Sequence, residues 1–183
     1  RWVVAGEGVG FLAPTAGFAL TSTLAATPWA TYVTMIVAGA LEGALLGAAQ
    51  ASALTGTPLA VPRLRWVGVT AAGAAFAWAL GMLPPTLSDA GHAPDLTRPW
   101  VWFVLAWGGL LLLGSIPAAQ WTALRAVLPR AWRWVPLSMG AWLVGLVFTF
   151  LPSPFIDETT PPGALAASYA LAGVAMAATV AVV

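Results

Sequence analysis

Six apolar stretches, each roughly 19 to 26 residues long, follow one another along the chain with only short breaks marked by Pro, Gly or Arg. A helix rises about 1.5 Å per residue, so each stretch can cross a hydrocarbon layer of about 30 Å. They fall at 2–24, 29–54, 65–83, 99–124, 133–152 and 162–183. Pro28, Pro84, Pro85, Pro152, Pro154, Pro161 and Pro162 mark the breaks, where a residue without an N–H interrupts the helical ladder. In lipid every backbone polar group must be satisfied internally, and helices do this segment by segment. The expected fold is all-α: a single polytopic transmembrane domain of six helices.

Composition agrees with that reading and narrows the function. Only 7% of the 183 residues are charged and 60% are hydrophobic, whereas soluble domains carry about 25% charge. A net charge of +1 leaves no basic surface to neutralise phosphates, so nucleic acid is not an expected partner. Without Cys there are no disulfides, iron–sulfur clusters or thiolate metal sites, and without Lys no Schiff base forms. A single histidine, His92, excludes bis-His haem ligation within the chain. No P-loop, Rossmann, HExxH or GxSxG pattern occurs. No cofactor is identifiable from the residues, and no nucleophile–base set converges within the spans, which speaks against an enzyme. The bias toward Ala, Gly, Pro and Arg suggests a GC-rich bacterial source. Apolar sequence begins directly after Arg1 with no signal-peptide pattern, so the chain is expected to be processed or incomplete at its ends.

The arginines predict an orientation. Arg1, Arg63, Arg65, Arg125, Arg130 and Arg133 fall on one side of the six spans. The opposite loops hold Asp89, Asp95, Asp157 and Glu158, with Arg98 as their one cation. The positive-inside rule makes the Arg side and both ends of the chain cytoplasmic, in a bacterial inner membrane.

Internal repetition organises the spans. Arg1-Trp2-Val3, Arg65-Trp66-Val67 and Arg133-Trp134-Val135 each open a span, and the second and fourth spans close alike at Ala48-Ala49-Gln50 and Ala118-Ala119-Gln120. The unit is an Arg-Trp-Val span, an outer loop and a returning span, giving hairpins at about 1–64, 65–132 and 133–183. Two crossings return the chain to its starting side, so the three hairpins share one orientation and are related by an axis along the membrane normal. Gly-rich spans ending in AAQASAL and AAQWTALR, followed by RWV and a further Gly-containing helix, resemble the repeated hairpins of uncharacterised bacterial multi-pass membrane proteins. The resemblance implies a fold type and no activity.

Against this scaffold a few residues stand out. Gly39, Gly43 and Gly47 form a glycine zipper on the second span, and Gly73, Ala77 and Gly81 repeat its spacing on the third. Small residues four apart line one helix face and admit another backbone closely, either within the bundle or at an oligomer or partner interface. Glu42 lies midway along an uninterrupted apolar span, where a carboxylate is costly and is therefore paired, protonated or used. Glu7, two turns into the first span, can sit at a comparable depth. Under the repeat Glu42 aligns with Leu112, and Glu7 with Ala71 and Met139, so each carboxylate is a single feature laid on a repeated scaffold. Two roles are open for them: an ion or proton site, or a structural bond. Gln50 and Gln120 occupy equivalent span ends and are read as structural polar residues bonding across helices. Pro117 is expected to kink the fourth span. Of eleven tryptophans, Trp2, Trp29, Trp66, Trp100, Trp121, Trp132 and Trp134 suit the membrane interfaces; Trp78, Trp102, Trp107 and Trp142 fall deeper and can flank a pigment, quinone or lipid. Asp89, His92 and Asp95 share an outer loop without a metal-site spacing.

The leading functional expectation is a non-catalytic integral membrane scaffold or accessory subunit. It would dock through its glycine stripes and aromatics on other integral subunits, or on itself, among membrane lipids. The alternatives are a small proton- or cation-linked channel or carrier using Glu42 and Glu7, and a subunit that binds a pigment or lipid.

Overall fold

The computed structural model describes residues 12–57 and 61–150, together with Gly10 and isolated positions between 168 and 179. Everything regular among these residues is helical. The elements are α1 (Leu12–Thr23), α2 (Pro28–Leu54), α3 (Arg63–Asp89), α4 (Pro99–Leu124), a 3₁₀ turn (Ala131–Arg133) and α5 (Trp134–Phe150). The described bundle thus has five helices, not the expected six. The expected sixth span, 162–183, lies outside the described residues apart from a few isolated positions, as does the start of the first span with Glu7 and Trp2. Four segments are long and apolar enough to cross a membrane: Pro28–Leu54, Arg63–Asp89, Pro99–Leu124 and Ala131–Phe148.

Local signals set most of the helix ends. Thr27 caps α2 by accepting a hydrogen bond from the Ala30 N–H, with Pro28 preset at the first helical position. The end of α3 corrects the sequence expectation, because the helix runs through Pro84 and Pro85 instead of stopping there. Each proline removes one ladder bond, a loss that helices in lipid tolerate. The stop comes later, where Gly91 adopts φ +81°. There the His92 N–H donates to the Leu87 carbonyl and the Gly91 N–H to the Ser88 carbonyl, the paired closure that a left-handed glycine permits. In the loop beyond, the Asp95 carboxylate accepts from the Thr97 hydroxyl and N–H and from Arg98. Thr97 first, then Arg98, holds that carboxyl below its ordinary range. Asp95 therefore organises the entry to α4, and no group of His, Asp and Glu that could hold a metal occurs among the described residues.

Packing is serial: α1 lies on α2, α2 on α3, α3 on α4 and α4 on α5, with α2–α3 the most extensive pair. Glycine explains that closeness. A Cβ at Gly43 would overlap the Ala74 side chain and stand 3.0 Å from the Thr70 carbonyl oxygen. One at Gly47 would stand 3.0 Å from the Val67 Cα, and one at Gly39 would overlap the Trp78 indole. The next interface uses the same device: a Cβ at Gly73 would come within 2.8 Å of the Ile116 Cα on α4, and one at Gly81 within 3.3 Å of Leu112. The opposite face of α2 carries Val33, Val37, Leu41 and Leu45, all exposed, a stripe suited to lipid.

Candidate functional site

Two polar centres interrupt the apolar interior, and both straddle the α2–α3 seam. The first lies near the Arg-rich end and is built from the two glutamines. Gln50 Oε1 accepts from Trp66 Nε1 at 3.1 Å and from Gln120 Nε2 at 2.8 Å. Gln120 Nε2 also donates to Thr70 Oγ1 at 3.1 Å, while Gln120 Oε1 accepts from Trp134 Nε1 at 3.0 Å. The Thr70 hydroxyl in turn donates to the Trp66 carbonyl at 2.8 Å. Gln120, at 2% exposure, thereby has both amide hydrogens and its oxygen engaged, as a buried polar group requires. Gln50 receives the indole of the Arg-Trp-Val segment that follows it, and Gln120 receives the indole of the next one. The two bonds occupy matching positions in the repeated hairpins, and the two indoles meet edge to face at 6.3 Å.

This network ties α2, α3, α4 and α5 together beside an apolar cluster of Ala51, Trp66, Ala123, Leu124 and Ala131. Interhelical hydrogen bonds in lipid contribute about 0.6 to 1 kcal/mol each. Gln120→Leu removes three of them, so it is expected to destabilise the bundle by roughly 2 kcal/mol, read as a lower melting temperature in mild detergent. Gln120→Glu retains acceptors but loses two donors, and should recover less than half of that.

The second centre is Glu42. Its Oε2 accepts a hydrogen bond of 2.8 Å from Trp78 Nε1, and no other hydrogen bond to this carboxylate occurs among the described residues. Gly39 makes the contact feasible, because its missing side chain leaves the space that the Trp78 ring fills. From two turns before Gly39 on α2, the Tyr32 hydroxyl donates to the carbonyl of Ala79, the residue after Trp78, at 3.1 Å. On another side Gly10 covers the Glu42 stem, where an added Cβ would stand 3.4 Å from Glu42 Cγ.

Glu42 and Trp78 border a cavity of about 190 Å³ between α2, α3, α4 and α5. Leu46, Ala74, Ala77, Leu112, Ile116 and Leu146 form most of its apolar wall, with Trp142 from α5. Leu112, the repeat counterpart of Glu42, therefore faces the same space as Glu42 itself.

The sequence-selected residues thus divide three ways. Gly39, Gly43, Gly47, Gly73 and Gly81 meet neighbouring helices of their own chain, and Ala77 lines the cavity. Gln50 and Gln120 join each other. Glu42 pairs with an indole, while Glu7 lies outside the described residues. The residues missed as site members are Trp66, Trp134 and Thr70 in the network and Trp78 beside Glu42. The signal for Trp78 was present in the register: setting Gln50 against Trp66 places Gly47 by Thr70, Gly43 by Ala74 and Gly39 by Trp78. Comparison with protein-family models, curated proteins and solved structures finds no significant match to this chain.

Proposed function

We propose that the chain is a non-catalytic membrane subunit that holds part of a lipophilic molecule in the cavity beside Glu42. The observation that carries this reading is a carboxylate with one oxygen bonded to Trp78 and the other without a hydrogen-bond partner among the described residues, set in an otherwise apolar pocket within the spans. A conducting path needs several polar side chains along its length. Leucine, isoleucine and alanine dominate this wall instead, which favours a binding pocket over a channel or carrier. At about 190 Å³ the cavity is close to the roughly 150 Å³ that accepts a benzene ring in an engineered apolar core. It suits a single ring or a short chain segment carrying a hydroxyl or N–H for Glu42, with the remainder of the molecule lying in the bilayer.

Docking on a larger assembly remains compatible with this task, but its surface differs from the expected one. The glycine stripes are occupied by the chain's own helices. Trp100, Phe103 and Trp107, one exposed stripe on α4, offer a face for a partner.

The test is native mass spectrometry of the full chain extracted gently from its own membranes. Wild type should retain a stoichiometric lipophilic molecule. Ala77→Phe fills the cavity from its wall and should lose that molecule while keeping a single folded species. Equal complements of bound molecules in the two proteins would refute the assignment.

A further inference from the structure

The Arg-rich end presents five exposed guanidinium groups: Arg63, Arg65, Arg125, Arg130 and Arg133. The one ion pair among the described residues, Arg98 with Asp95, lies at the opposite end of the spans. None of the five therefore has a carboxylate partner among the described residues. Two lie over indoles, Arg125 at 5.4 Å from the Trp121 ring and Arg133 at 5.8 Å from the Trp132 ring. A guanidinium stacked in this way is held in place while its edge N–H groups stay available for the paired oxygens of an anion. Arg65 is also fixed, donating to the Thr122 carbonyl at 2.9 Å and so bringing the start of α3 to the end of α4.

Two features make these positions costly for arginine. Arg63 and Arg65 occupy the first turn of α3 with no acidic residue beside them, where the helix dipole repels cations. Arg130 adopts φ +59°, a left-handed conformation that glycine takes without strain and a long side chain does not.

We propose that this end binds the phosphate groups of anionic phospholipids through its exposed arginines: the stacked Arg125 and Arg133, the anchored Arg65, and Arg63 and Arg130. Phosphate matches the bidentate edge of arginine, and the surrounding tryptophans are suited to the depth of lipid headgroups.

The full chain should be reconstituted in nanodiscs of equal phosphatidylglycerol and phosphatidylcholine, and its retained lipids counted by native mass spectrometry. Wild type is expected to retain phosphatidylglycerol selectively. Arg130→Gly relieves the left-handed strain, so it should keep or raise the melting temperature while reducing that selectivity by roughly fivefold. Arg125→Gln with Arg133→Gln should reduce it further, and Arg98→Gln at the opposite end should leave it unchanged. Should the double variant fail to fold, Arg130→Gly alone decides. Equal retention of both lipids by wild type, or unchanged selectivity in a folded Arg130→Gly protein, would overturn the proposal.

Discussion

Gly43→Leu is expected to abolish the folded bundle. The Cβ alone would overlap Ala74 and press on the Thr70 carbonyl and the Ala71 Cα. Two of those three obstacles are backbone, so no rotamer change relieves them and α2 must move away from α3. Overpacking in a well-filled interior costs about 1 to 3 kcal/mol, more when backbone has to shift, and here the shift spreads. It opens the contacts at Gly39 and Gly47, draws Trp78 off Glu42 and pulls Gln50 from Trp66. Leu41→Phe, two residues away on the exposed face, should change the melting temperature little. Size-exclusion profiles and thermal melts in mild detergent read both outcomes. Equal tolerance of the two substitutions would mean that the glycine stripe is not the seam of the bundle.

Glu42→Leu should have the second largest effect, and it should separate binding from folding. The substitution installs the residue that the repeat places at Leu112, so bulk and polarity suit the pocket wall. What it removes is the acceptor for Trp78 Nε1, leaving a half-buried donor unmet at a cost of about 1 kcal/mol. It also removes the only carboxylate that faces the cavity among the described residues. Retention of the lipophilic molecule should therefore fall by tenfold or more, since about 1.4 kcal/mol corresponds to a factor of ten. Glu42→Gln keeps an acceptor oxygen and nearly the same shape. It should preserve stability and most of the retention. A pH-dependent flux in liposomes that wild type supports and Glu42→Gln lacks would instead make Glu42 a proton or cation carrier.

The sequence exposed the helical architecture because its signals are long. Continuous apolar spans, prolines at helix starts and an Arg-Trp-Val segment opening α3 and α5 are each repeated, and α2, α3 and α4 begin within two residues of their expected starts. Pro84 and Pro85 misled because a proline pair was read as a terminator, whereas the closure at Gly91 stops α3. The site was only half legible. Glu42, Gln50 and Gln120 stood out because polar residues are rare within the spans. Trp66 and Trp134 did not, since a tryptophan near a membrane surface has an adequate explanation in its amphipathic ring, and Trp78, a deeper ring, reads as one that can flank a pigment, quinone or lipid. Only a register, fixed by one cross-helix bond, turns the interfacial Trp66 and Trp134 and the deeper Trp78 into hydrogen-bond donors. The cavity left no trace in the sequence at all, because it arises from four helices whose small and large residues fail to fill one level of the bundle.

The most direct test of the central assignment is an experimental structure of the full chain purified from its own membranes without exchange of bound lipids. Non-protein density is expected in the cavity walled by Leu112, Ile116 and Leu146, with a polar atom within hydrogen-bonding distance of the Glu42 carboxyl. A cavity closed by those side chains, or one threaded by ordered water leading away from Glu42, would contradict it.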